Sequence, residues 1–370
     1  MKQSSDQKTR ILVYSIAIFF LGVFLMYGII YKFPAIFQET ITKIEKDVTV
    51  TDKGIADAVD KVYNSVIIVS TYKGDTQYAS GSGFIYKVDG DVTYVITNHH
   101  VIADGDNYKI TYTNGDIEDA IVLGGDQYAD IAVLKVKTKE NISAALIGST
   151  ESLRIGDTTF TVGAPLDNVY SWTVTRGIIS GKERLVDIST KGQASNDWIM
   201  SVMQTDAAIN SGNSGGPLCD SNGEVIGVIS AKISSTGVEG MGFAIPIEIA
   251  IEKAEQIISG DASEYPYLGV SMLNVEDAII HPDYNIYLKQ SELTSGVMVV
   301  DVQKNSSADS AGIKTGDIIT EINSNKIINV AYLRYELYKY AIGDTIKVTI
   351  EREGKQKNLS LKLSSKLQNS

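Results

Sequence analysis

Cysteine, histidine and surplus basic charge are what this chain has least of. Its one cysteine, Cys219, rules out an internal disulfide, and no Cys/His cluster has the spacing of a structural metal site. Stability must then come from packing, and neither a metal nor a cofactor is expected. Acidic residues outnumber basic ones by 45 to 33, a formal net charge of -12; without a basic face to meet phosphates, this argues against a nucleic-acid partner. The hydrophobic and charged fractions, 44% and 21%, are those of an ordinary globular protein. The 370 residues suffice for two or three domains at about 100–200 residues each.

The stretch Asn210-Ser211-Gly212-Asn213-Ser214-Gly215-Gly216-Pro217-Leu218 sets a serine among three glycines, with apolar runs on both sides. Glycine tolerates positive φ and close backbone approach, so such a loop can turn consecutive amides into one small space. Ser214 is the candidate nucleophile, and the amides of Gly212 and Ser214 are the candidate oxyanion donors. A Gly-rich turn between two strands would look the same by itself. The reading therefore needs a base and an orienting group elsewhere.

The chain has only three histidines, His99, His100 and His281. The first two follow Val92-Thr93-Tyr94-Val95-Ile96-Thr97, whose β-branched and aromatic residues predict a strand, so they stand where a strand gives way to a loop. A neutral imidazole there can take the serine's proton and return it to the leaving amine. Residue chemistry alone does not choose between His99 and His100. His281, beside Pro282, reads as a surface residue. For the orienting carboxylate, Asp130 opens the apolar strand Ile131-Ala132-Val133-Leu134-Lys135-Val136. Asp104, Asp106, Asp116, Asp119 and Asp126 lie in Gly- or Asn-containing turns, where aspartate commonly bonds its own backbone. The order His, Asp, Ser along the chain is the one found on chymotrypsin-type double barrels.

Together Gly81-Ser82-Gly83-Phe84-Ile85, Thr97-Asn98-His99-His100-Val101, Asp130-Ile131-Ala132-Val133-Leu134, Thr205-Asp206-Ala207-Ala208-Ile209-Asn210 and Gly212-Asn213-Ser214-Gly215-Gly216-Pro217-Leu218 resemble the HtrA/DegP serine proteases. The resemblance runs from about Ala56 to the end of the chain. Aligned to that family's Thr-Asn-x-His-Val pattern, His100 rather than His99 is the catalytic histidine, with Asp130 and Ser214 its partners. The implied fold is an all-β double-barrel chymotrypsin-like protease domain plus an α+β PDZ domain.

Ahead of these, residues 1–10 form a short polar tail with basic Lys2, Lys8 and Arg10, and Ile11 to Tyr31 runs without a charge. As a helix this run would span about 30 Å, the thickness of a bilayer core, and no small-x-small cleavage pattern follows it. A retained transmembrane signal anchor over 11–31 is expected. The basic flank puts the N-terminus in the cytoplasm and the rest outside, in a single-pass cell-membrane protein. A stalk over 32–55 would lead to the protease domain over 56–258, in which short β-rich runs alternate with turns such as Asn114-Gly115-Asp116. His100 and Asp130 fall in its first half and Ser214 in its second, so the site should lie in the cleft between two barrels.

In trypsin the acidic pocket residue sits six positions before the nucleophile; here that position is Ala208. Small or medium aliphatic residues are therefore expected before the scissile bond, with Ile229 and Ser230 as pocket walls by resemblance. Residues 259–370 resemble a PDZ domain, and Tyr267-Leu268-Gly269-Val270 matches its carboxylate-binding loop, where a C-terminal peptide would add as a strand. Two functions follow. The first is a membrane-anchored serine endopeptidase of extracytoplasmic protein quality control, acting on unfolded or damaged proteins through an acyl-enzyme. The second is a chaperone or peptide-binding protein with little proteolysis. The resemblance implies a homotrimer.

Overall fold

The computed structural model describes residues 3–32, 52–140, 142–164, 172–188, 198–233, 240–260 and 265–364. The expected stalk lies largely outside them. The chain divides after Lys53 into two units. The first contains helix α1, Gln3–Lys32, 30 residues long, whose apolar side chains Phe19, Phe20, Leu21, Phe24 and Leu25 are exposed. Among the described residues no helix is long and apolar enough to cross a membrane. The expected transmembrane helix is therefore not shown, although α1 contains the whole uncharged run Ile11–Tyr31.

The second unit is entered through α2, Asp52–Val62, which buries Ile55, Ala58 and Val62 at the spacing of one helical face. Six antiparallel strands then close a barrel: β1 Val66–Lys73, β2 Thr76–Asp89, β3 Val92–Thr97, β4 Asn107–Thr111, β5 Ile117–Asp126 and β6 Ile131–Lys137, ordered β1-β2-β3-β6-β5-β4. A single helical turn, α3 His99–Ile102, leaves the end of β3. The second barrel comprises β7 Thr158–Gly163, β8 Thr173–Ile188, β9 Trp198–Thr205, β10 Pro217–Asp220, β11 Val225–Ile229 and β12 Gly242–Pro246, ordered β10-β11-β12-β9-β8-β7.

Successive side chains of a strand face opposite ways, and here both faces are buried. In β6, Ala132, Leu134 and Val136 fill the interior of the first barrel, while Ile131 and Val133 pack into a core that runs between the barrels. In β11 a β-bulge at Val225–Gly227 interrupts the alternation, so that Ile226 and Ile229 fill the second barrel while Val225 and Val228 join the shared core. That double burial is why these strands read as continuous apolar runs. Helix α4, Ile247–Ser259, lays Ile247, Ala250 and Ala254 on the same seam and stops at Gly260, whose φ of 78° supplies the left-handed cap.

The C-terminal part is a sheet of β13 Val270–Asn274, β14 Val297–Val302, β15 Ile318–Ile322, β16 Asn325–Lys326, β17 Thr345–Arg352 and β18 Lys355–Lys362, with β13 at one edge. Helices α5 Val275–Ile280, α6 Ser307–Ser310 and α7 Val330–Leu337 accompany it. The sequence pattern predicts α7 as far as Ala341, but it ends at Leu337. Tyr338 leaves the helix to stack on Tyr265 at 4.3 Å between ring centroids. Tyr128 and Trp198, one from each barrel region, complete the aromatic cluster at 5.0–5.5 Å.

The Tyr265 hydroxyl also donates to Asp126 Oδ2, whose other oxygen accepts the amides of Tyr128 and Ala129. Asp126 thus bonds its own backbone, as its turn position predicts, and also holds the segment that leads into the C-terminal sheet. Tyr265→Phe keeps the ring packing and removes only this bond to a buried charge. It is expected to cost about 1.5–3 kcal/mol, readable as a lower unfolding midpoint by calorimetry, while Tyr267→Phe at the next tyrosine leaves the midpoint unchanged.

Candidate active site

His100 follows the β3 terminus and Asp130 immediately precedes β6, strands that are hydrogen-bonded neighbours. This pairing brings together two residues thirty positions apart. His100 Nδ1 lies 2.8 Å from Asp130 Oδ2 and 3.0 Å from Oδ1, and the His100 amide donates to Oδ1 at 3.0 Å. Asp130 takes a left-handed conformation, φ 53°, and the fully buried Asn98 donates through Nδ2 to its carbonyl at 2.8 Å. Burial alone would raise the Asp130 carboxyl, but the hydrogen bonds from His100 and Ser230 outweigh it and hold the group below the usual carboxylate range. An ionised carboxylate only accepts, so a neutral His100 keeps its proton on Nδ1 and presents a bare Nε2.

Ser214 reaches the same place from the second barrel. Ser230 Oγ donates to Asp130 Oδ2 at 3.0 Å, and the next residue, Ala231, donates its amide to Ser214 Oγ at 3.1 Å. Two consecutive residues thus touch the carboxylate and the serine. Ser214 is 5% exposed, and among the described residues no hydrogen bond joins its Oγ to His100. The resting hydroxyl is instead held by Ala231, at the start of a short 3-10 turn, Ala231–Ile233.

The loop around Ser214 depends on glycine at Gly215, where φ is 85° and a Cβ would fall 2.2 Å from the Ser82 carbonyl oxygen. Among the described residues the amides of Gly212 and Ser214 donate to no group, whereas those of Asn213, Gly215 and Gly216 donate to Asn210, Ile229 and Asn213. Within residues 212–216 the two expected oxyanion donors are thus the amides without an acceptor among the described residues.

The expected pocket changes. Ala208 is exposed and its carbonyl accepts Thr175 Oγ1. Ile229 is fully buried in the second barrel's core, because a β-bulge at Val225–Gly227 breaks the alternation of β11 and puts it on the same face as Ile226. Ser230 is fully buried with its hydroxyl on Asp130, so it orients the carboxylate instead of lining a pocket. Neither residue is a pocket wall through its side chain.

His99, the neighbour, lies apart. It lines a cavity of about 520 Å³ with Gly125, Asp126 and Tyr265, and a Cβ on Gly125 would fall 2.6 Å from its ring. Burial pushes its imidazole below the ordinary histidine range, against the attraction of Asp130 and Asp126 and with the repulsion of Lys232 and His100. A histidine depressed in the fold binds its proton more readily when unfolded. Stability from this group is thus complete above about pH 6.5 and is lost as pH falls toward the lower folded value. His99→Gln is expected to flatten the acid side of a stability–pH curve by at most about 1.4 kcal/mol per pH unit, measured by urea unfolding.

The remaining candidates follow from burial. His281 is exposed against Tyr284. Cys219 is fully buried, and burial pushes its thiol well up, leaving it unreactive. In the C-terminal sheet, Leu268 is buried in the core and Gly269 has φ 81°, with a Cβ there falling 2.1 Å from Ser306. Tyr267 donates its amide to Ser364, while those of Leu268 and Gly269 donate to no described group, next to the open edge of β13.

No local pattern marks the contact of Ser230 with Asp130, the support from Asn98 or the clasp of Tyr265 on Asp126, because each partner is distant in sequence.

Two closed barrels with histidine and aspartate on one and serine on the other, joined to a peptide-binding type of sheet, define a trypsin-like serine protease domain followed by a PDZ domain. The family models agree, with a trypsin-like peptidase domain matching residues 81–228 and a PDZ domain matching residues 266–363. The chain is 38% identical over 315 residues to the serine protease Do-like HtrA of Lactobacillus helveticus, covering 82% of this chain and 74% of the relative. It is 35% identical over 340 residues to that of Lactococcus lactis subsp. lactis (strain IL1403), covering 84% and 82%.

Against the HtrA of Bacillus subtilis (strain 168) it is 40% identical over 294 residues, 79% of this chain, and spans 65% of the relative's length. Among solved structures, the serine endoprotease from Yersinia pestis aligns with a TM-score of 0.63 at 28% identity, over 86% of this chain and 99% of that one. The HtrA-type protease AlgW with decapeptide aligns with a TM-score of 0.64 at 28% identity, over 85% and 99%. The chain belongs to the Do-like HtrA family of serine proteases.

Proposed function

We propose that this chain is a serine endopeptidase that cleaves unfolded or damaged proteins by an acyl-enzyme mechanism. The observation that carries this reading is the buried, ionised Asp130 on His100 Nδ1, linked through Ser230 and Ala231 to Ser214, whose loop keeps two amides available. Rotation of the Ser214 side chain exchanges the Ala231 amide for His100 Nε2. The oxygen then attacks the scissile carbonyl as Nε2 takes its proton, and Asp130 stabilises the imidazolium. The amides of Gly212 and Ser214 receive the oxyanion. Imidazolium protonates the leaving amine, and water, deprotonated by the same nitrogen, releases the acyl group. With Ala208 in place of an acidic pocket residue, preference falls on small or medium aliphatic side chains.

The PDZ domain is proposed to take C-terminal peptides along β13, with the Leu268 and Gly269 amides on the carboxylate. Full-length chain incubated with a reduced, unfolded protein should yield fragments with aliphatic residues at their new C-termini by mass spectrometry. Intact substrate that stays soluble would instead support the chaperone reading.

Membrane anchoring through Ile11–Tyr31 is proposed on the absence of charge over that run and the exposure of its apolar side chains. The protease and PDZ domains would then lie outside the cytoplasm. Wild-type chain should resist carbonate extraction from membranes, and Phe20→Lys/Phe24→Lys should release it; extraction of the wild type would contradict the anchor. A homotrimer is proposed from family membership, and sedimentation showing a monomer at working concentration would refute it.

A further inference from the structure

We propose that Ser82 is a positioning residue for the oxyanion hole, a first-barrel side chain that sets the backbone planes of the nucleophile loop; this rests on the peptidase reading above. Ser82 lies on β2 and is fully buried. Its hydroxyl donates to the Gly212 carbonyl at 2.7 Å and its amide to the Ser214 carbonyl at 2.8 Å. The residue is itself held, because its carbonyl accepts Thr97 Oγ1 at 2.7 Å and its hydroxyl oxygen accepts the Ala164 amide at 3.1 Å.

The consequence follows from peptide planarity. A carbonyl fixed on one side of a trans peptide fixes the N–H on the other. Ser82 fixes the planes that begin at Gly212 and at Ser214, and the plane between them, which carries the Ser214 N–H, is held by the Gly216 amide on the Asn213 carbonyl at 2.9 Å. Carbonyls 212, 213 and 214 are thus all engaged; the Gly212 N–H lies in the plane that begins at Ser211, and the grip of Ser82 on the Gly212 carbonyl anchors the residue about which that plane turns. Gly212, at φ 100°, is the position most free to turn over, since glycine populates both hands of φ. The hydroxyl of Ser82 holds it at its carbonyl. Space is kept for this grip: a Cβ on Gly163 would fall 2.9 Å from Ser82 Oγ, and one on Gly216 would fall 3.1 Å from Ser82 Cβ.

Loss of one oxyanion donor costs about 10²–10³-fold in turnover. Ser82→Ala, which leaves both donors present but one plane unheld, is expected to lower kcat of the full-length chain by about 10–100-fold, with KM within about 2-fold because ground-state binding is untouched. A peptidyl boronic acid with valine next to boron, a transition-state mimic, should lose affinity by the same factor, while the matching product peptide binds as before.

Ser82→Cys, of similar volume with a weak donor, should fall between, and it carries the test if the alanine variant does not fold by near-UV circular dichroism. A folded Ser82→Ala chain with kcat and boronate affinity within about 2-fold of wild type, or a loss confined to KM, would overturn the proposal. Failure of the peptidase reading looks different: wild type itself would neither cleave nor bind the boronate.

Discussion

Ser214→Ala is expected to lower kcat for cleavage of an unfolded protein by about 10⁵–10⁶-fold, since removing the nucleophile alone from a serine–histidine–aspartate site costs about as much as removing all three. The substitution deletes one oxygen from a residue that is 5% exposed, and among the described residues the bond lost is the one accepted from the Ala231 amide. The loop is held by its backbone bonds, so the fold and substrate binding should persist. A residual rate of about 10³–10⁴ over water is expected from the amides and from binding. Fragment appearance by mass spectrometry reads the effect, and undiminished cleavage would remove Ser214 from the chemistry.

Asp130→Asn is expected to lower kcat by about 10⁴-fold with little change in KM, for a reason the hydrogen bonds make specific. An asparagine amide turned toward His100 donates, so Nδ1 must accept and the proton moves to Nε2, the atom that should receive it from Ser214. The same change disturbs the Ser230 hydroxyl and the His100 amide, both of which donate to Asp130. A carboxyl held below its ordinary value contributes stability that is complete above about pH 3.9 and is lost as pH falls through the folded value. The stability gap between wild type and Asp130→Asn should therefore close below about pH 4, measured by urea unfolding across pH, while the activity gap at neutral pH remains. A variant within 10-fold of wild-type kcat would show that Asp130 does not set the tautomer.

The parts of this site that could be read in sequence are those whose chemistry is local. Ser214 stands out because its glycines are contiguous, and Asp130 because an acid opens an otherwise apolar strand. His100 could be separated from His99 only by resemblance; the structure supplies the physical difference, with His100 on Asp130 and His99 beside the cavity of Gly125 and Tyr265. Ser230 shows the limit. Its position beside the nucleophile strand was legible, but its partner is one hundred residues away on the other barrel, and no spacing rule encodes that. Ile229 was misplaced because a β-bulge in β11, which no local pattern announces, turns its side chain into the core.

The barrels were legible for a related reason. Double burial makes seam strands such as β6 and β11 apolar on both faces, while the turns keep their glycines and asparagines. The clasp between barrels and PDZ domain was not. Tyr128, Trp198, Tyr265 and Tyr338 are separated by up to 210 residues, and a tyrosine at a helix end gives no sign of whether it faces solvent or another domain.

The central claim is that the Ser214 hydroxyl is the nucleophile that His100 activates. Full-length chain treated with a fluorophosphonate and mapped by tandem mass spectrometry tests it most directly. The adduct should sit on Ser214 alone in wild type, and in His100→Ala its formation should slow by several orders of magnitude. An unmodified Ser214 in a chain that still cleaves protein, or an adduct on another serine that abolishes cleavage, would contradict the account.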